Sequence, residues 1–276
     1  MHVIIGDMAV TMSELPAAVA DIGKYSLRIP KSPEEIQKEK EAQQRYTEHG
    51  GRARKINRFR FEHHDTIMML ETGGCVFLPG LWPRMRQALS NNGIQYTTED
   101  LRSDKLRPDP DYSILADFEP RPGQLAAMAL IASSDCGIIK CPTAWGKSMV
   151  ISKLCKIFPT LNIVVTTSST QVVGTLNDRI RQDCPGEVGI ISGTKNTARG
   201  KRITCCTLKS LTKVNPEEIQ LVLVDEVHGV GANQAGLVLS QFVLARRFGF
   251  SASPIRNDGS AIALEAIIGP VILDVS

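Results

Sequence analysis

Gly137-Ile138-Ile139-Lys140-Cys141-Pro142-Thr143-Ala144-Trp145-Gly146-Lys147-Ser148 is the stretch on which the fold turns. It opens as a β-branched run, closes on Gly-Lys-Ser, and continues through Met149–Ile157 with helical spacing of its apolar residues. A loop between a strand and a helix N-terminus aims backbone N–H groups at an anion. Lys147 adds a charge for the β- and γ-phosphates of a nucleotide, and the Ser148 hydroxyl is a magnesium ligand. Gly146 lets the backbone approach the anion; Pro142, Thr143, Ala144 and Trp145 complete the loop. The general pattern starts with glycine, where this chain has Cys141. Trp145 either covers the nucleotide or packs on a neighbouring helix.

Moving outward, Asn162–Thr167, Gly189–Ser192, Arg202–Thr207, Gln220–Val224 and Phe248–Ser251 read as strands, with a helix around Gln171–Gln182. The apolar run Ile219–Val224 suits a strand buried on both faces. Strands alternating with helices predict an α/β domain with a mostly parallel, doubly wound sheet. One strand ends on chemistry: Leu221-Val222-Leu223-Val224-Asp225-Glu226-Val227-His228. Adjacent carboxylates at the end of a buried strand must be solvated or paired. Asp225 suits magnesium held through water, and Glu226 suits orienting and deprotonating an attacking water. Lys147, Asp225 and Glu226 are the candidate catalytic residues.

Residues 1–100 differ in pattern and predict a small α+β domain. Met1–Val10 and Tyr25–Ile29 read as strands, and Pro33–Glu48 as an exposed helix or loop. Thr66–Leu70 and Cys75–Leu78 flank Glu71-Thr72-Gly73-Gly74, a hairpin signal. Trp82–Ser90 reads as a helix stopped by Asn91-Asn92-Gly93, and Ile94–Thr98 as a last strand. Residues 101–116, with Arg107-Pro108-Asp109-Pro110, form the linker to an ATP-binding lobe at 117–276.

Composition sets bounds. A 42% hydrophobic fraction is ordinary for a folded chain, and no run approaches the roughly 18 apolar residues of a membrane span. The N-terminus lacks a signal-peptide pattern, and the seven cysteines form no CxxC pair, so the expected place is the cytoplasm, a host's if the chain is phage-encoded. The net charge of +3 argues for no partner by itself. Its distribution says more. Arg52, Arg54, Lys55, Arg58 and Arg60 follow one another without an acid, beside Phe59 and Phe61, and suit a nucleic-acid backbone. A second knot is Arg199, Lys201 and Arg202.

Asp225-Glu226-Val227-His228 resembles motif II of superfamily 2 helicases of the DEAD/DExH group, and Pro142–Ser148 resembles their motif I. The resemblance implies further positions. Arg121-Pro122-Gly123-Gln124 resembles the element upstream of motif I whose glutamine reads adenine. Thr167, Ser168 and Gln171 fall in a segment similar to motif Ia, and Thr207 and Ser210 in the next strand–Thr–x–x–Ser–Leu element, both on the nucleic-acid side. Gly249–Pro254, with Ser251 and Ser253, resembles motif III, which with His228 couples hydrolysis to strand binding. The implied cofactors are ATP and Mg2+. The implied partner is DNA, with RNA open.

Asp65–Asp100 is similar to the small N-terminal domain of phage UvsW-type helicases, which implies a role in recombination or repair. Two readings stand beside this one: the motor lobe of a restriction or remodelling translocase, and a non-catalytic nucleic-acid-binding module. The resemblance also implies a second RecA-like lobe whose arginine reaches the γ-phosphate, and no GRxxR-like element is present. Residues 1–276 by themselves are therefore expected to turn ATP over very slowly and to need that lobe, in the same chain or in trans.

Overall fold

Alternation along the buried strands decides the layering. In the computed structural model, which describes residues 1–6, 9–30, 33–48, 59–102, 107–230, 234–253 and 261–275, Ile163, Val165, Leu221 and Leu223 enter one core, while Val164, Val222 and Val224 enter another. A strand's side chains point alternately to opposite faces, so each strand serves both cores.

The N-terminal part comprises β1 (His2–Ile5), β2 (Val10–Met12), β3 (Lys24–Pro30), α1 (Pro33–Glu48), β4 (Phe59–Asp65), β5 (Ile67–Met69), β6 (Cys75–Phe77), α2 (Trp82–Asn91) and β7 (Thr97–Asp100). Strands β5-β6-β2-β1-β7 form one sheet, and β3 and β4 pair as a separate antiparallel ribbon. Val3, Val10, Met12, Phe77, Met85 and Leu89 close a core between this sheet and α2.

Two sequence expectations shift here. Met1–Val10 is two strands, because the Gly6 N–H donates to the Ala9 carbonyl at 2.9 Å and turns the chain back, pairing Ile5 with Val10. The last strand starts at Thr97 instead of Ile94, because the Ile94 N–H donates to the Leu89 carbonyl at 3.0 Å and finishes α2. Pro33–Glu48 resolves as helix.

The larger sheet draws on α3 (Gln124–Ser133), β8 (Cys136–Lys140), α4 (Lys147–Ile157), β9 (Ile163–Thr167), α5 (Thr170–Asp183), β10 (Val188–Ser192), β11 (Lys195–Asn196), β12 (Ile203–Thr207), β13 (Leu221–Asp225), α6 (Gln234–Ser240), β14 (Arg246–Ser251), α7 (Ala261–Ile268) and β15 (Val271–Asp274). Its order is β11-β10-β12-β9-β13-β14-β8-β15, parallel except for β11. Helices α3, α4 and α5 cover one face; α6, α7 and the turn at 208–213 cover the other. This is the mostly parallel, doubly wound α/β sheet that the alternating pattern predicts. The edge strand β15 is an addition to the strands that the sequence pattern predicts.

Residues 107–116 lie against the larger sheet. Arg107 pairs with Asp135 at 2.6 Å, the Asp111 N–H donates to the Ile157 carbonyl at 3.0 Å, and Leu115 enters the core. The N-terminal sheet reaches α7 through Arg84, whose Nε donates to Glu265 Oε1 at 2.9 Å, and through Ala266, buried in the N-terminal core. Arg246 is fully buried: its Nη1 donates to the Ile131 and Ala132 carbonyls at 2.9 and 3.0 Å. Those are end carbonyls of α3, which lack partners within the helix. Burial pushes the Arg246 pKa down to about 10. Among the described residues, no helix is long and apolar enough to cross a membrane.

Candidate nucleotide site

Parallel strands put all their carboxyl ends on one edge, and β13, β14 and β8 are sheet neighbours. The segments that follow them therefore meet although the sequence scatters them. The Cys141 N–H donates to the Ser251 carbonyl at 3.0 Å, tying the start of the phosphate loop to the end of β14.

The loop itself is braced from upstream. Arg121 Nη1 donates to the Ala144 carbonyl at 2.6 Å, and Gln124 Nε2 donates to the Trp145 carbonyl at 2.8 Å. Gln124 Oε1 accepts from the Arg121 N–H at 2.9 Å, so the amide of this buried residue ties the loop to the segment upstream of α3. A Cβ on Gly146, where φ is +100°, would lie 2.7 Å from Gln124 Nε2. Glycine is required there for room and for the backbone angle. The Trp145 ring packs into the core at 8% exposure and its Nε1 donates to the Pro122 carbonyl at 2.9 Å. Of the two fates open to Trp145, packing is realised. Cys141 is buried beneath the loop, and burial pushes its thiol up to about 11, so it is a packing residue in the neutral form.

Opposite the loop, Lys147 forms an ion pair with Glu226 Oε1. Glu226 Oε2 lies 3.2 Å from His228 Nδ1, which lies 3.0 Å from Ser251 Oγ. The Ser253 N–H donates to that same Oγ at 3.2 Å. One chain of contacts thus runs from the phosphate loop through Glu226 and His228 to Ser251 and Ser253. Asp225 is 4% exposed, and its Oδ1 has no hydrogen-bond partner among the described residues. Burial raises its pKa, against the opposing charge of Lys147. Two non-glycine residues have left-handed backbone among the described residues, Ala144 (φ 65°) and Glu226 (φ 54°), and both are in this site.

The profile of the family described as "Type III restriction enzyme, res subunit" matches residues 117–256. The chain belongs to that family. With the sheet order above, this makes the larger sheet the RecA-like lobe of a superfamily 2 helicase. The chain is 28% identical over 140 residues to the DNA 3'-5' translocase XPB2 of Sulfurisphaera tokodaii, covering 49% of this chain and 31% of that protein. It is 28% identical over 220 residues to an Arabidopsis thaliana protein, the general transcription and DNA repair factor IIH helicase/translocase subunit XPB2, covering 71% of this chain and 29% of that one. The chain thus spans about three-tenths of the length of these relatives. Its fold is similar to the crystal structure of the UvsW helicase from bacteriophage T4, with a TM-score of 0.66 at 13% identity over 99% of this chain and 100% of that one.

The nucleic-acid candidates of the RecA-like lobe divide. Ser168 and Gln171 are exposed beyond the carboxyl end of β9. Thr207 and Ser210 are buried and engage each other: Thr207 Oγ1 donates to Ser210 Oγ at 3.0 Å and accepts from the Ser210 N–H at 3.2 Å. Their hydroxyls start the 208–213 turn as a cap does. Arg52, Arg54, Lys55 and Arg58 lie outside the described residues. Sequence reasoning missed the Lys147–Glu226 pair and the Arg121 grip on Ala144. No spacing rule marks either, since both join side chains whose elements meet only in the folded sheet.

Proposed function

We propose that this chain is the ATP-binding portion of a DNA helicase or translocase, acting in recombination or repair. The observation that carries the reading is the meeting of Lys147 with Glu226 beside the buried Asp225, at the mouth of a strand–loop–helix phosphate site. We assign residues 1–100 to an accessory domain that contacts DNA, 101–116 to a linker and 117–276 to the ATP-binding lobe.

The residues fit a magnesium nucleotide. The unpartnered Asp225 Oδ1 and the Ser148 hydroxyl are hard oxygen donors, the kind magnesium takes. ATP and Mg2+ together supply the scissile γ-phosphoryl group and part of the charge that stabilises its transfer. Lys147 and the N–H groups at the start of α4 hold the phosphates, and Arg121 and Gln124 fix the loop that presents those groups. Glu226 orients a water and takes its proton at a carboxylate oxygen. His228, in contact with both Glu226 and Ser251, reports the occupancy of the site to the Ser251–Ser253 link. Ser168 and Gln171 contact the nucleic-acid backbone from the exposed edge.

The restriction-subunit family and the translocase relatives favour a second reading, a motor that tracks duplex DNA without separating its strands. The test begins with a fluorescent ATP analogue titrated with and without Mg2+. Binding by the wild type and its loss in Lys147→Ala are expected; a wild type that binds no nucleotide would end the proposal. Strand-displacement and triplex-displacement assays on the full-length protein then separate unwinding from tracking.

A further inference from the structure

The basic knot at Arg199, Lys201 and Arg202 has no part in the nucleotide site, yet it belongs to a longer run. From Gly193 to Lys213 the sequence holds Lys195, Arg199, Lys201, Arg202, Lys209 and Lys213 and no acid. The fold wraps much of this run around a groove of about 670 Å³ at the β11 end of the large sheet, where Arg199, Lys201 and Lys213 stand with the amides of Asn196 and Asn215. Arg202 is committed elsewhere: its guanidinium donates to the Cys155, Phe158 and Leu161 carbonyls and to Glu187.

The groove wall is built rather than draped. A Cβ on Gly189 would lie 2.4 Å from the Thr197 oxygen and from the Ala198 Cα, so its absence lets residues 197–198 lie flat on β10. The Thr197 N–H donates to the Ile190 carbonyl at 2.9 Å, Thr197 Oγ1 accepts from the Ile190 N–H at 3.1 Å, and the Lys201 N–H donates to the Ala198 carbonyl at 2.9 Å. Lys201 Nζ donates to the Gly186 carbonyl at 2.7 Å and Lys213 Nζ to the Gly193 carbonyl at 3.0 Å. Those neutral acceptors steady the ammonium groups without cancelling their charge, and each ammonium keeps further N–H donors. Among the described residues lining the groove Glu218 is the one carboxylate, and it accepts from Asn215 Nδ2 at 2.9 Å.

We propose that this groove holds the phosphodiester backbone of a nucleic acid, as a contact separate from the Ser168–Gln171 edge; the inference rests on the DNA-motor reading above. Cationic groups and amide donors suit phosphates, and among the described residues no aromatic side chain lines the groove to stack a base. Strand β12 carries the chain from Arg202 at the groove to Thr207, and the 208–213 turn returns it to Lys213. The 208–213 turn therefore links the groove, at the amino ends of β9, β12 and β13, to the carboxyl edge that carries Ser168 and Gln171. The groove is lined by residues just before β9, β12 and β13 (Asn162, Arg202 and Ile219), whereas the nucleotide site follows the carboxyl ends of β13, β14 and β8, so groove and nucleotide site can be filled together.

The experiment measures binding of labelled single-stranded and duplex DNA of mixed sequence to the 276-residue chain between 50 and 200 mM salt. Wild type is compared with Arg199→Ala/Lys213→Ala and with the charge-preserving Arg199→Lys/Lys213→Arg. Two lost phosphate contacts lower the log–log salt slope by about 1.8 on duplex or about 1.4 on single strands, and the arm that changes identifies which form lies in the groove. The charge-preserving variant is expected to keep the wild-type slope. Arg199→Ala alone is expected to give half the change, and it serves if the double variant does not fold. Wild-type binding with an unchanged slope in the alanine variants overturns the groove and leaves the motor reading standing. A wild type that shows no salt-dependent binding to either DNA overturns both.

Discussion

Replacing Glu226 by glutamine is expected to separate two properties that usually fall together, raising nucleotide affinity while removing hydrolysis. Lys147 is paired with Glu226 in the folded chain, so phosphates must take the lysine away from a carboxylate. The two side chains are 11% and 34% exposed, between a surface pair, worth about 0–1 kcal/mol, and a desolvated charged hydrogen bond at roughly 1.5–3 kcal/mol. Taking ~1 kcal/mol for a half-screened pair, its release strengthens binding of a non-hydrolysable ATP analogue about fivefold. Glutamine keeps the size and a carbonyl acceptor but cannot take a proton from water, so turnover falls by about 10²–10⁴. The assay is a titration with the analogue and Mg2+ at low and high salt, paired with phosphate release from the full-length protein. The affinity gain is expected to shrink at high salt, because screening already weakens the wild-type pair. Lost turnover with unchanged or weaker analogue binding would refute the competition between glutamate and phosphate for Lys147. Near-normal turnover would refute the role of Glu226 itself.

Ala144→Gly is expected to stabilise the chain by about 0.5–1 kcal/mol in urea unfolding: left-handed backbone costs an L-residue roughly 1–2 kcal/mol, and glycine gives back part of that as unfolded-state entropy. Ala144→Val, β-branched at the same angle, is expected to destabilise. Asp225→Asn is expected to raise the melting temperature without ligand at pH 7 and to abolish Mg2+-dependent nucleotide binding. Burial holds the folded Asp225 pKa above the usual carboxylate range, so its stabilising, protonated form dominates below that range and is lost as pH rises through the folded value. Asparagine removes that slope, which melting curves across acid pH will show.

The large sheet was legible because its strands are apolar on both faces and end in distinctive residues. Gln220–Val224 and Asn162–Thr167 read as strands, and the structure places β13 at Leu221–Asp225 and β9 at Ile163–Thr167 with every residue of each buried. Shorter or mixed segments were less legible. Val271–Asp274 joins the sheet at its edge with partly exposed side chains, so its hydrophobic signal resembles that of a loop. Ile94 reads as the first residue of a strand by composition, but its N–H is taken by the end of α2. A single backbone hydrogen bond decided that boundary, and sequence pattern does not encode it.

In the candidate site, what sequence conveyed was residue type at a chain position; what it withheld was direction. Trp145 in a phosphate loop reads equally as a lid or a packing residue, and a hydrogen bond to Pro122, far upstream, selects the second. Gln124 has the residue type and chain position of a base reader, yet both ends of its amide are engaged within the fold, so any contact with adenine must compete with the Arg121 N–H or the Trp145 carbonyl. Thr207 and Ser210 have the residue types of backbone contacts, yet their hydroxyls satisfy each other in a buried cap. In each case a polar group found an internal partner, as buried polar groups must. Asp225 is the exception, with an Oδ1 that finds none among the described residues. A carboxylate oxygen kept buried without a partner carries a standing cost in stability, and a cation bound at the same edge would offset it. On the proposed reading, that cation is the magnesium of a bound nucleotide, and Asp225 is the residue it would meet.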